Sequence, residues 1–162
     1  MIINSEVTEL LASAGIAFDV VEIPLSEDKK PIRNLEELLS EKGLDPTSVV
    51  RSVVFRGGSK QFYLLAVAGG GRADWSVLRK HLEERKLRMA EHDEVPEVTG
   101  YVVGAVPPVA LPAGLKTLVD TSVKTYKTVV IGSGVLGYAL ALKGSDLLKL
   151  LENVEQGSFV KE

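Results

Sequence analysis

The segment TGYVVGAVPPVALP at residues 99–112 places three prolines and two glycines inside an otherwise apolar run. Proline locks φ and removes an amide donor, and glycine admits conformations closed to other residues, so the segment reads as a shaped loop rather than a helix. Its only polar side chains are Thr99 and Tyr101. Any function it serves must come from main-chain groups and from the shape they enclose.

A chain of 162 residues with 45% hydrophobic content supports one closed core, so a single domain over residues 1–162 is expected. The net charge of −3 and pI near 5.5 argue against a protein that coats nucleic acid electrostatically, while leaving shape-based RNA contact open. With no cysteine, disulfides, thiolate metal sites and cysteine nucleophiles are excluded. The opening MIINSEVTELL has no basic segment followed by a long apolar run, and no stretch reaches the roughly 20 apolar residues of a membrane span. A soluble cytoplasmic protein is the expectation.

Val7, Leu10, Leu11 and Ala14 recur at helical spacing before Gly15, and Leu35, Leu38 and Leu39 mark a second helix closed by Gly43. Residues 18–23 read as a strand and residues 24–31 as a charged loop. Residues 49–55 and 62–68 are β-branched and aromatic, and Gly57, Gly58 and Ser59 between them predict a hairpin. Asp74 is placed to cap a helix carrying Trp75, Leu78 and Leu82, and a short helix is expected over residues 90–98. Strands are predicted at 117–119, 128–131 and 138–142, then a helix capped by Ser145. Hairpins mixed with separate helices predict an α+β domain with a mixed, largely antiparallel sheet packed with helices.

Gly132, Gly134 and Gly137 match G-x-G-x-x-G after a predicted strand. A dinucleotide site needs a helix next, whereas Tyr138, Leu140 and Leu142 alternate as in a strand. A turn between two strands is the expected structure, with binding of a carbonyl or phosphate by its amides as a further use and Ser133 adding one hydroxyl. His81 and His92 lack metal-ligand spacing; His81 reads as a residue on a solvated face, and His92, beside Glu91, Asp93 and Glu94, reads equally as an acid or base and as an exposed histidine among carboxylates. Arg72, Arg79, Lys80, Arg85, Lys86 and Arg88 make one region locally basic; a solvated face is the ordinary reading, and contact with RNA phosphates the other. Arg51 falls on the alternation of Val49, Val53 and Phe55, so it is either an edge residue or a pocket cation needing a partner. Asp120 closes the apolar run Leu118 and Val119, where capping a turn is its common use.

TGYVVGAVPPVALP, VVRSVV at residues 49–54, LVD at 118–120 and VIGSGVLG at 130–137 together resemble the YbaK/ProX-type prolyl-tRNA editing domains, over nearly the whole length. The resemblance implies a mixed α+β fold and a deacylase acting in trans on the ester of a mischarged tRNA, Cys-tRNA(Pro) or Ala-tRNA(Pro). The implied partners are the tRNA 3′ end and prolyl-tRNA synthetase, with no DNA, membrane, metal or cofactor. It makes the Gly104 amide a donor to the ester carbonyl or its oxyanion, with water or the tRNA 2′-hydroxyl in place of a side-chain nucleophile. Gly104 and Arg51 are the expected catalytic positions. Ser52, Arg72, Val106, Pro108, Asp120, Gly132, Ser133 and Gly134 are the expected substrate contacts. The family usually has lysine at Arg51 and commonly threonine at Ser52. Arginine keeps the charge but does not replace a lysine acting as proton carrier. Several relatives have serine at Gly132, and the hydroxyl of Ser133, one residue along, would face the other side. The alternative reading is a non-catalytic module binding aminoacyl-tRNA or a synthetase.

Overall fold

The computed structural model describes residues 3–161. Helix α1 (Glu6–Ser13) starts at Ser5, whose side chain accepts from the Thr8 amide while the Thr8 hydroxyl accepts from the Ser5 amide, a reciprocal cap. Strand β1 (Phe18–Glu22) and helix α2 (Leu35–Glu41), capped by Asn34, follow. Then come β2 (Val50–Gly57), β3 (Phe62–Ala68), β4 (Arg72–Ala73), α3 (Trp75–Leu82), β5 (Leu87–Met89), α4 (Glu94–Thr99) and β6 (Lys116–Asp120). A 3-10 turn at Thr121–Thr125 precedes β7 (Thr128–Gly132), β8 (Tyr138–Lys143), α5 (Gly144–Leu150), β9 (Glu155–Gly157) and β10 (Val160–Lys161).

The strands of the described residues form three sheets. A five-stranded sheet runs β5-β2-β3-β6-β9, with β3, β6 and β9 parallel and the other pairs antiparallel. An antiparallel sheet runs β1-β8-β7, and β10 pairs with β4. A parallel bridge between Val49 and Val130 joins the first two sheets at one point. The α+β expectation with a mixed, mostly antiparallel strand arrangement holds. The largest buried cluster includes Val7, Leu11, Val50, Val119, Ile131 and Leu140, so α1 packs on strands from both sheets. Phe55, Tyr63, Leu78 and Phe159 form a second cluster, where Phe55 and Tyr63 stack with centroids 5.3 Å apart.

Several boundaries differ from expectation for local reasons. The β2–β3 turn comes slightly later, at residues 58–61, with the Gly57 amide donating to the Gln61 carbonyl at 2.9 Å and Lys60 taking φ of 78°. Helix α4 starts at Glu94 rather than residue 90, because the Ala90 amide is drawn to the Val54 carbonyl at 3.0 Å and continues the pairing of β5. Ser145 does not cap α5. That helix is capped two residues earlier, its N-cap Lys143 making no side-chain capping bond and the Gly144 amide donating to the Lys127 carbonyl at 2.8 Å. The short strands β4, β5, β9 and β10 carry no sequence signal; their partners define them.

The glycine-rich segment is resolved in favour of a turn. Strand β8 returns antiparallel to β7, from Gly132 opposite Ala139 to Thr128 opposite Lys143. No helix follows to receive a pyrophosphate.

Candidate active-site cavity

Val49, just before β2, bridges Val130 of β7, no further pairing joins the two strands among the described residues, and a cavity of about 530 Å³ opens beside them. β2 supplies Val50, Arg51, Ser52 and Val54, and β7 supplies Val130, Ile131 and Gly132. The proline-rich loop contributes Val103, Gly104 and Val106, the end of β5 contributes Met89, and the segment after it contributes Ala90 and His92. Leu35 of α2 and Tyr138 of β8 complete much of the rest. The lining is apolar apart from Ser52, Tyr138, Arg51 and His92, and no carboxylate borders it among the described residues.

The loop is held from beneath. Thr99 is buried and donates to the Val95 carbonyl at 2.7 Å, and Pro107, Pro108 and Val109 are buried. The Tyr101 hydroxyl lies 2.7 Å from the Ala110 carbonyl and 3.1 Å from a Glu6 carboxylate oxygen. Burial and the nearby Glu6 charge push that hydroxyl up to about 12. Above this base Gly104 is exposed with φ of 95°, a region that favours glycine. No group among the described residues accepts from its amide.

Gly132 allows the second close approach. A Cβ there would stand 2.4 Å from the Val106 carbonyl oxygen, so only glycine lets β7 lie against the loop. The Gly134 amide donates to the Ala105 carbonyl at 2.9 Å, and the Ser5 hydroxyl donates to the Ser133 carbonyl at 2.7 Å. Loop, glycine turn and the start of α1 are thereby tied into one wall.

Of the residues expected at the site, Arg51, Ser52, Gly104, Val106 and Gly132 meet at this cavity. Arg51 is exposed and donates to the Gly71 carbonyl, so its guanidinium braces the loop before β4. The other expected contacts lie outside the lining. Arg72 is exposed on β4 opposite Lys161, and Pro108 is buried beneath the loop. Asp120 is 1% exposed and accepts from the Phe159 amide at 2.7 Å and the Ser122 amide at 2.9 Å, which is the capping use. The buried Ser133 hydroxyl sits between the Val135 and Tyr138 carbonyls at 2.9 and 2.8 Å and braces the turn. Gly134 is spent on Ala105.

Met89 and Tyr138 line the cavity without having been expected there, and His92, for which an acid–base and an exposed reading stood level, lines it as well. No spacing in the chain could have singled them out: the pairing of β5 with β2 and the turn before β8 carry them in. Across the molecule, among the described residues, no helix is long and apolar enough to cross a membrane.

Residues 29–150 match the family model described as the aminoacyl-tRNA editing domain. Among curated proteins, the chain is 29% identical over 122 residues to a proline–tRNA ligase of Kosmotoga olearia, covering 75% of this chain and 20% of the ligase. It is 30% identical over 96 residues to the multifunctional Ser/Thr-tRNA deacylase ProXp-y of Escherichia coli strain K12, covering 59% of this chain and 58% of that protein. The chain thus spans only a fraction of the length of these relatives. A solved structure described as a candidate trans-editing enzyme for prolyl tRNA synthetase superposes with a TM-score of 0.77 at 26% identity, covering 97% of this chain and 96% of the other. A hypothetical protein of known structure shares the fold with a TM-score of 0.79 at 24% identity, covering 97% of this chain and 100% of the other.

Proposed function

The chain belongs to the aminoacyl-tRNA editing domain family, and from that premise we propose that it removes mischarged amino acids from tRNA by hydrolysing their ester in trans. The observation that carries this reading is the unengaged Gly104 amide beside an apolar cavity. An activated ester needs little beyond positioning and a donor aimed at the developing oxyanion. Water adds its oxygen to the acyl carbon, the acyl bond to the ribose 3′-oxygen breaks, and one water proton passes to that oxygen, with the neighbouring 2′-hydroxyl available as carrier. Val103, Val106 and Val130 form an apolar sieve. Such a second site restores accuracy where binding alone separates small side chains by only about 10- to 200-fold.

The proposed substrates are Cys-tRNA(Pro) and Ala-tRNA(Pro), presented by the free tRNA 3′ end or beside prolyl-tRNA synthetase in the cytoplasm. Serine and threonine, named in the Escherichia coli relative, widen the panel. Incubation with Cys-, Ala-, Ser- and Pro-tRNA(Pro) tests the reading: ester loss from a mischarged species should outpace both its spontaneous rate and the loss from Pro-tRNA(Pro). Retained tRNA binding with no hydrolysis of any species would leave a binding module instead.

A further inference from the structure

Strand β2 is paired on both sides for only part of its length. β3 pairs with it from Val50 to Arg56 on one side. On the other, among the described residues, β5 pairs with Phe55, Arg56 and Gly57, and β7 pairs only through the Val49–Val130 bridge. In an antiparallel ladder each residue sends its N–H and C=O to the same side, alternating along the strand. The Val54 carbonyl accepts from Ala90 at 3.0 Å and the Ser48 carbonyl from Val130 at 3.1 Å, so even-numbered residues face away from β3. Ser52 therefore turns both main-chain groups into the interval between β5 and β7, beside the cavity, where no strand pairs with it among the described residues. Its hydroxyl is also buried without a partner. Buried polar groups in folded proteins are nearly always paired, so the unpartnered hydroxyl, with strand-edge main-chain groups beside it at the cavity, calls for a ligand.

Resting on the editing reading, we infer that the main chain of Ser52 recognises the α-ammonium and ester carbonyl of the bound aminoacyl group. In an aminoacyl ester these groups flank one Cα, as N–H and C=O do in a single strand residue. The ammonium donates to the Ser52 carbonyl, and the Ser52 amide donates to the ester carbonyl. The aminoacyl group thus completes one antiparallel pair in the gap, strand addition reduced to a single residue. The ammonium bond is charge-assisted, and the amide bond strengthens as the carbonyl oxygen gains charge. Recognition through the backbone is blind to the side chain, which leaves selection to the apolar walls.

The test compares aminoacyl-tRNAs with their desamino counterparts: alanyl with propionyl, cysteinyl with 3-mercaptopropionyl, seryl with 3-hydroxypropionyl, each normalised to its spontaneous hydrolysis. Removing the ammonium should lower normalised kcat/KM by about 10- to 100-fold, the range expected for one charge-assisted hydrogen bond. Replacing residue 52 by the α-hydroxy acid analogue of serine, which exchanges its N–H for oxygen, should lower kcat while circular dichroism stays unchanged. Equal normalised rates for ester and desamino ester overturn the pairing and leave editing intact. Hydrolysis of neither member of any pair overturns both.

Discussion

The Gly134 amide donates to the Ala105 carbonyl at 2.9 Å, joining the glycine-rich turn to the proline-rich loop next to Gly104. Two segments separated by some thirty residues therefore move as one wall of the cavity. Geometry at Gly104 depends on contacts made elsewhere.

Gly132→Ala tests that dependence. The new Cβ would lie 2.4 Å from the Val106 carbonyl oxygen and 2.8 Å from its carbon, main-chain atoms that cannot swing aside. A destabilisation of about 1–3 kcal/mol in urea unfolding is expected, with a loss of deacylation that exceeds the unfolded fraction.

Gly104→Ala acts at the donor itself. Its φ of 95° is costly for any other residue, and the added carbon would stand 3.2 Å from a methyl of Leu136. The strain is of order 1–3 kcal/mol, and the variant should lower kcat more than it raises KM. An unchanged kcat would remove the Gly104 amide from the proposed oxyanion site.

Arg51 separates positioning from chemistry. Its guanidinium rests on the Gly71 carbonyl at the cavity border, so Arg51→Ala should raise KM with a smaller effect on kcat, and Arg51→Lys should recover part of the loss. Wild-type kinetics in both variants would take Arg51 out of the site.

Tyr101→Phe removes the hydroxyl that lies between Ala110 and Glu6 and leaves the Ala110 carbonyl short of its donor. Thermal or urea unfolding should register a loss of about 1–2 kcal/mol, with weaker activity through the loosened loop.

Stability should vary with pH through Glu84, a carboxylate 9% exposed at the end of α3. The Ser59 hydroxyl, then the Tyr63 hydroxyl at 2.6 Å, hold it below its ordinary value of 4.5 against the opposing effect of burial. A depressed carboxylate stabilises the fold above its unfolded value, so this contribution is complete above about pH 4.5 and fades as pH falls through the folded value. Tyr63 is pushed up to about 12, by burial first and Glu84 next, so its contribution holds below pH 10 and fades as pH rises toward 12. Denaturation of wild type and Glu84→Gln across pH should show a gap that is widest near neutrality and narrows toward acid.

Much of the fold could be read along the chain, since it rests on local preferences. Asp74 does cap α3, Gly15 and Gly43 follow the ends of α1 and α2, and the alternation after Gly137 is strand β8. Half of the positions expected at the site line the candidate cavity. Gly104, Val106 and Gly132 could be picked out because proline fixes the backbone and glycine opens conformations closed to other residues wherever they stand. Ser133 and Asp120 could not be assigned the same way: a hydroxyl or carboxylate in a turn looks alike whether it meets a ligand or its own backbone.

From composition and local pattern alone come the α+β class, the rigid loop at residues 99–112 and a chain without cysteine chemistry. Those properties follow from torsional limits and side-chain type, which act over a few residues. Where β2 lacks a second partner at Ser52, where Arg51 sends its charge, and the arrival of Met89 and His92 at the cavity follow from strand pairing between distant segments. Such pairing is settled by the packing of the whole core, because a strand edge has no local signature until its neighbour is in place.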